Sequence, residues 1–290
     1  MAEREPGEEA GQTVGLLCGG GELPWRAADA LHRRGCRVVA VGIKGEADPA
    51  IEGHADEVHW TSIAKLGGWI RVFRAAHVDA LLMVGSIRKR RMFDSKLAML
   101  PDWRTVKFYY GHLVTRQDHT ILGAMADEFE KEGIPVRSIV DYCPDMLVQP
   151  GCLTRAEPDK RQWADIRFGW PLAKQVAALQ IGQTIVVKHL AVVAVEAMEG
   201  TDKALQRGGE LAKGGAVAVK VAREGHDVRF DIPCIGPQTV NTLEAAGIAV
   251  LAIEAGWTLL LDPDQVRAAA DQAHVCIVAL TEQDVAGAQQ

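Results

Sequence analysis

The fold is decided by residues 14–43, which read VGLLCGGGELPWRAADALHRRGCRVVAVGI. The apolar run Val14–Cys18 has the length of a buried strand and stops at three glycines. A helix is predicted at Leu23–Arg34, since Pro24 is tolerated in a first helical turn, and Arg37–Ile43 is typical of a second strand. This strand–helix–strand order predicts two parallel strands joined by a crossover helix.

The same rhythm continues to the middle of the chain. A helix is predicted at Lys65–Ala76, a third apolar strand at Ala80–Val84 and a long helix at Thr115–Glu132. We therefore expect an α/β protein whose N-terminal domain contains a Rossmann-like parallel sheet.

The C-terminal half predicts a second α/β domain. Apolar, β-branched runs occupy Thr184–Ala197 and Ala216–Val221, and a helix at Pro237–Ala246 precedes a strand at Ile248–Glu254. A short strand, a helix and a last strand follow, the last one ending at Leu280.

The domain boundary is placed where Gly133 and Pro135 end the long helix. The predicted parts are a flexible extension at 1–12, a Rossmann-like domain at 13–133, an α/β domain at 134–281 and a tail at 282–290.

The length, net charge and cysteine spacing of the chain limit the classes of function that it can have. The chain has 290 residues and a net charge of -6, which argues against general nucleic-acid binding because that needs clustered cations. The N-terminus does not resemble a signal peptide, and the apolar runs are shorter than the roughly 20 residues that span a bilayer. The six cysteines show no CxxC spacing. We expect a soluble, cytoplasmic protein.

The glycine turn is the first candidate for chemistry. Gly19, Gly20 and Gly21 lie between a strand and a helix start, where backbone N–H groups can approach a phosphate. Ser86 follows the third strand, at an edge where open α/β sheets commonly bind ligands. A simple turn without a ligand is the alternative at both places.

Carboxylates in apolar surroundings are the second candidate. Glu196 ends a continuous apolar run, and Asp231 lies between Phe230 and Ile232, with Lys220 and Arg229 upstream. A buried carboxylate needs a partner, and carboxylates with nearby cations suit Mg²⁺-assisted phosphoryl chemistry. Structural ion pairing explains the same spacing and stays open.

Three further features are candidates, and two of them have an alternative interpretation. Asp118 lies at the border of the buried face of the long helix, and Asp202 is a metal ligand or a helix cap. The basic run Arg88–Arg91 is a solvated turn, or it meets an anionic substrate or lipid headgroups.

Several segments together resemble the UDP-2,3-diacylglucosamine pyrophosphatase family. They are GLLCGGGELP at 15–24, DEFEKEG at 127–133, AVEAMEGTD at 194–202, residues 220–236 ending in RFDIPCIG, and EAGWTLLLD at 254–262. The similarity extends from about Val14 to about Leu280. Two positions depart from the family pattern: His119 follows Asp118 where a second aspartate is common, and His226 replaces a glutamine.

The resemblance implies substrate held between two domains, and hydrolysis of UDP-2,3-diacylglucosamine to UMP and the monophosphate lipid in lipid A synthesis. It implies Mg²⁺ as cofactor and an essential aspartate at Asp231, as metal ligand or water-activating base. We predict Asp231, Glu196 and Asp118 as catalytic residues and Asp231, Asp202 and Glu196 as metal ligands. The predicted substrate-binding residues are Gly19, Gly20, Gly21, Ser86, Lys220, Arg229 and Thr201.

The expected partner is a UDP-linked acylated glucosamine. Peripheral contact with the inner face of the membrane and assembly into a homo-oligomer are left open. One alternative function is a non-catalytic protein that binds nucleotide sugars or lipid precursors. A nicotinamide-dependent oxidoreductase is a further alternative, although the glycine turn lacks the third glycine of the dinucleotide fingerprint.

Overall fold

The chain forms two compact units in a computed structural model. The structure describes residues 10–86, 102–112, 118–223, 225, 227–230 and 232–287, with only the backbone of 109–112 and 118–120. Unit one is Met1–Pro144 with Asp227–Asp231, and unit two is Asp145–His226 with Ile232–Gln290. The predicted boundary at 133/134 therefore lies before the end of unit one.

Unit one contains a five-stranded sheet in the order β3-β2-β1-β4-β5, with every neighbouring pair parallel. Its strands are β1 (Thr13–Cys18), β2 (Arg37–Ile43), β3 (Glu57–Thr61), β4 (Ala80–Val84) and β5 (Val136–Arg137). The central strands are buried on both faces, which explains their continuous apolar sequences. This confirms the predicted Rossmann-like parallel sheet.

Helices lie on the sheet of unit one. They are α1 (Leu23–Arg33), α2 (Leu66–Ala75), α3 (Trp103–His112), α4 (Asp118–Glu130) and α5 (Ile139–Tyr142), with a 3₁₀ helix at Pro49–Gly53. A second 3₁₀ helix, Pro144–Met146, follows α5. In the core, the rings of Phe73 and Phe129 meet edge to face at 6.1 Å.

A short segment from the C-terminal half completes unit one. Phe230 packs against its core, and the Ser138 hydroxyl donates a hydrogen bond of 2.7 Å to the carbonyl of Val228. Residues 227–230 therefore belong with the N-terminal unit, although they are distant from it in sequence.

Unit two contains a six-stranded mixed sheet in the order β6-β13-β11-β9-β7-β8, beside a two-stranded sheet of β10 and β12. Its strands are β6 (Gly151–Cys152), β7 (Thr184–Lys188), β8 (Ala191–Val195), β9 (Ala216–Lys220), β10 (Cys234–Ile235), β11 (Ile248–Glu254), β12 (Leu259–Leu260) and β13 (Cys276–Leu280). The second α/β domain was therefore predicted correctly.

The apolar run at 184–197 is a hairpin of β7 and β8. His189 and Leu190 form its turn with φ of 52° and 58°, in the left-handed region. The buried carboxylate of Asp165 accepts hydrogen bonds from both turn N–H groups, at 3.0 and 2.7 Å. These bonds hold a backbone conformation that costs free energy in residues other than glycine.

Within the described residues, five helices cover the sheet of unit two. They are α6 (Lys160–Ala178), α7 (Thr201–Ala212), α8 (Pro237–Ala246), α9 (Pro263–Gln272) and α10 (Glu282–Gly287). Part of the predicted tail at 282–290 is thus helical. Within the described ranges, none of the helices has both the length and the apolar character that crossing a membrane requires.

Candidate active site

Four strands of unit two end at one edge of its sheet. β9, β11 and β13 are parallel, and β8 has the same direction because β7 is antiparallel to both β8 and β9. Their carboxyl ends carry Glu196, Lys220, Glu254 and Thr281. Ligands of open α/β sheets bind at this kind of edge.

Three predicted residues meet there in what we call the Lys220 cluster: Glu196, Thr201 and Lys220. The Lys220 ammonium donates to the Thr201 hydroxyl at 3.0 Å, and that hydroxyl donates to the Glu196 carboxylate at 2.9 Å. The second oxygen of Glu196 accepts from the Gln183 N–H at 3.3 Å. Sequence patterns from two separate segments thus predicted residues that are in contact.

The chemistry of the cluster follows from the burial of its lysine. Lys220 is only 7% exposed, and among the described residues its ammonium has one hydrogen-bond partner, Thr201. An ammonium offers three donors, so further donors remain for anionic oxygens. Charge-assisted bonds to phosphate oxygens are stronger than neutral ones, and burial limits their competition with water.

These side chains do not test the metal prediction. The Asp202 carboxylate lies 3.5 Å from the Thr242 hydroxyl, and Glu196 is bonded to Thr201 and Gln183. No three acidic, histidine or cysteine side chains gather around a metal position within the described parts of the chain. Asp231 and the side chain of Asp118 lie outside the described residues. Mg²⁺ therefore stays a prediction.

The glycine turn of unit one makes backbone hydrogen bonds to other parts of the same unit. The Gly19 N–H donates to the Val84 carbonyl at 2.8 Å, and Gly20 and Ser86 exchange backbone hydrogen bonds of 2.6 and 2.9 Å. A Cβ atom on Gly19 would lie 2.6 Å from the Ser86 carbonyl oxygen. The two turns can approach this closely only because glycine has no side chain. The N–H groups of Gly19 and Gly20, which were expected to bind phosphate, are therefore hydrogen-bonded within the protein. Gly21, at φ 91°, faces open space.

Arg229 is held by neighbouring carboxylates of unit one. Its guanidinium makes ion pairs with Asp227 at 2.7 Å and with Glu130 at 3.0 Å. The hydrogen bonds that its guanidinium donates to the Asp227 carboxylate raise the pKa of Arg229 above its usual value. The structural ion pairing considered for the cations of this segment therefore occurs at Arg229, whose role toward substrate stays a prediction.

Sequence reasoning missed a second polar pair at the edge of unit two. The Glu254 carboxylate, 5% exposed, accepts from the Lys174 ammonium at 2.6 Å and from the Ala222 N–H at 2.8 Å. This pair lines a cavity of about 380 Å³ together with Arg223 and the half-exposed Trp257. Glu254 has the sequence feature that identified Glu196, because each is a carboxylate at the end of an apolar strand. That feature could have predicted Glu254 as well.

Known proteins match this chain over nearly all its length. The family models described as LpxI N-terminal domain and LpxI C-terminal domain match residues 13–146 and 149–278. A Caulobacter vibrioides protein named UDP-2,3-diacylglucosamine pyrophosphatase LpxI is 31% identical over 283 residues, which cover 93% of this chain and 98% of that protein. With both domain models matched in order and a relative aligned almost end to end, this chain belongs to the LpxI family.

Proposed function

We propose that this protein hydrolyses the diphosphate of UDP-2,3-diacylglucosamine, releasing UMP and 2,3-diacylglucosamine 1-phosphate. The observation that carries the proposal is the alignment with the LpxI pyrophosphatase over 98% of that protein. The buried ammonium of the Lys220 cluster supports it, because cleavage of a diphosphate needs cations positioned against phosphate oxygens. The expected place of the reaction is lipid A synthesis.

The proposed roles within the Lys220 cluster follow from its hydrogen bonds. A water oxygen attacks one phosphorus and loses a proton to solvent, the P–O–P bond breaks, and the leaving phosphate takes the bond electrons. Lys220 would neutralise charge on the phosphate oxygens as that bond breaks. Thr201 would hold the ammonium in place. Both oxygens of Glu196 accept hydrogen bonds, which supports a role in orienting Thr201.

A direct assay tests the reaction. Purified protein is incubated with UDP-2,3-diacylglucosamine in detergent micelles with Mg²⁺, and UMP is measured by chromatography while ³¹P NMR identifies the lipid monophosphate. We expect equal amounts of both products. Substrate that stays intact, while an active pyrophosphatase cleaves it in the same micelles, would refute the proposal.

Mg²⁺ is proposed as the cofactor on the basis of the resemblance. Carboxylate oxygens are the ligands that Mg²⁺ takes, and Glu196 and Asp202 offer them within the described residues. Asp231, the first candidate for a metal ligand or base, lies outside those residues. A bound Mg²⁺ would spread the negative charge of the diphosphate. Calorimetric titration of Mg²⁺ into the native protein and into Asp231→Ala measures binding independently of turnover.

The remaining expectations concern partners and location. The acyl chains of the substrate suggest contact with the inner face of the membrane, but Arg88–Arg91 lie outside the described residues. Peripheral binding, a cytoplasmic location and homo-oligomer formation stay predictions. The name of the relative does not favour the non-catalytic alternative, and the internally bonded glycine turn argues against dinucleotide binding there.

A further inference from the structure

A second cavity lies in unit one, at the carboxyl ends of β2 and β3. It measures about 450 Å³, and its lining includes Lys44, Glu46, Glu52 and Trp60. This is within the range of small-ligand sites, roughly 300–1,000 Å³. The loop after β2 also adjoins the glycine turn, since a Cβ atom on Gly20 would lie 3.0 Å from the Glu46 carbonyl oxygen.

The ring of Trp60 has a fixed position in this cavity. Trp60 pairs with Gly42 in the register of β2 and β3, and a Cβ atom on Gly42 would lie 2.7 Å from the ring. The absence of a side chain at Gly42 thus lets the indole lie against the strand. The indole N–H donates to the Glu52 carboxylate at 2.6 Å, which fixes the ring orientation. Such an ordered ring suits stacking with a planar group.

The charged side chains of the cavity favour binding of one part of a nucleotide over another. Glu46 and Glu52 contribute two carboxylates and Lys44 one ammonium. Carboxylates repel phosphate but accept hydrogen bonds from sugar hydroxyls, and in doubly wound sheets an acidic residue after the first crossover commonly binds ribose. An aromatic ring beside carboxylates therefore fits a nucleoside better than a diphosphate.

We propose that this cavity binds the nucleoside part of the substrate, with the pyrimidine base against Trp60 and the ribose hydroxyls on Glu46 or Glu52. The inference rests on the proposed function, because that function identifies the nucleoside as uridine. It assigns base recognition to unit one and leaves the cavity beside Trp257 in unit two without this role.

The test uses UMP as the probe and two tryptophan variants as a matched pair. Calorimetry measures the Kd of UMP for the native protein, Trp60→Ala and Trp257→Ala. Loss of stacking is worth roughly 1–3 kcal/mol, so we expect Trp60→Ala to raise Kd about five- to 150-fold. Trp60→Phe keeps a ring and should raise Kd less. Trp257, which also lines a cavity, should be replaceable by alanine without a measurable change in Kd.

A measurement on the native protein avoids dependence on how well the variants fold. In ¹⁵N-labelled protein the indole N–H signal of Trp60, identified from Trp60→Phe, should shift as UMP is added, while that of Trp257 stays in place. No UMP binding, an unshifted Trp60 signal, or loss of binding in Trp257→Ala alone would overturn the inference.

The outcome is separable from that of the proposed function. Hydrolysis of UDP-2,3-diacylglucosamine with no response of Trp60 to UMP would reject the cavity assignment alone. UMP binding at Trp60 in a protein that cleaves no substrate would reject the reaction alone.

Discussion

The two units present the same structural feature, the carboxyl ends of parallel strands at one edge of a sheet, with different chemistry. At the edge of unit one, the turns after β1 and β4 are joined through the backbone groups of Gly20 and Ser86. At the edge of unit two, the polar atoms belong to side chains, with Lys220 and Glu254 buried at the strand ends.

A glycine-rich turn and a phosphate site are therefore separate features. Glycine permits close approach of any neighbour, and in unit one that neighbour is another turn of the protein. A donor can bind a ligand only if the protein leaves it available, so the engaged N–H groups of Gly19 and Gly20 are weaker candidates than the Lys220 ammonium. Substitutions in each edge test this contrast.

The largest effect is expected from Lys220→Met. Methionine keeps much of the buried volume and removes the charge, so we expect kcat/KM for UDP-2,3-diacylglucosamine to fall about 100- to 1,000-fold, the range seen when one transition-state donor is removed. UMP release under initial-rate conditions measures it.

Lys188 provides the matched control for Lys220→Met. The Lys188 ammonium donates to the carbonyls of Ala212 and Gly214 at 2.7 and 2.6 Å, so its role is structural. Lys188→Met should lower the melting temperature and leave kcat/KM nearly unchanged. Equal losses of activity in the two variants would show that Lys220, too, acts through folding.

A smaller effect, on stability, is expected from Gly19→Ala in unit one. The added methyl group would lie 2.6 Å from the Ser86 carbonyl oxygen, so the two turns must separate. We expect a loss of about 1–3 kcal/mol in the free energy of unfolding, measured by urea denaturation. Gly123→Ala meets no atom within 4 Å and should be neutral or stabilising by up to about 1 kcal/mol. A stable Gly19→Ala with weakened UMP binding would instead favour a ligand at the glycine turn.

The strands that the sequence predicted best are buried on both faces. β1, β2 and β11 match their predicted bounds within one residue, because continuous apolar runs indicate such strands directly. β3 carries no such run, since it is a half-buried edge strand with the sequence EVHWT. Its role became visible only when the structure placed Trp60 against Gly42.

The longest helix in the described residues, α6, shows why other parts could not be predicted. It contains Gly169 and Pro171, which normally disfavour a helix interior. The structure supplies the reason for the glycine, because a Cβ atom there would lie 2.9 Å from a methyl group of Val187. Packing against the sheet thus determines the residue, and a single sequence does not contain that information. The ion pair between Lys174 on this helix and Glu254 could not be predicted from the sequence for the same reason.

Lowering the pH should destabilise unit one more than unit two. Hydrogen bonds and nearby cations lower the pKa of carboxylates in unit one, and fewer carboxylates are so affected in the described part of unit two. The lowered groups are Asp56, Glu57, Asp102, Glu128 and Glu132 in unit one and Glu199 and Asp284 in unit two. In hydrogen exchange measured at pH 3, the amide hydrogens of unit one should therefore lose their protection sooner than those of unit two.

Asp102 gives the smallest and most specific form of this prediction. Burial opposes its ionisation, but hydrogen bonds from the Thr105 N–H and hydroxyl, both 2.8 Å, and from the Gly68 N–H lower its pKa. Its stabilisation is present above the unfolded pKa of about 3.9 and is lost as pH falls through the lower folded pKa. Asp102→Asn should lower the free energy of unfolding by about 1 kcal/mol at pH 7, and the difference from native protein should shrink toward pH 3. Asp264→Asn, altering a side chain that is 95% exposed, should show no difference at either pH. A constant deficit in Asp102→Asn across this range would show that shape, not charge, accounts for the contribution of Asp102.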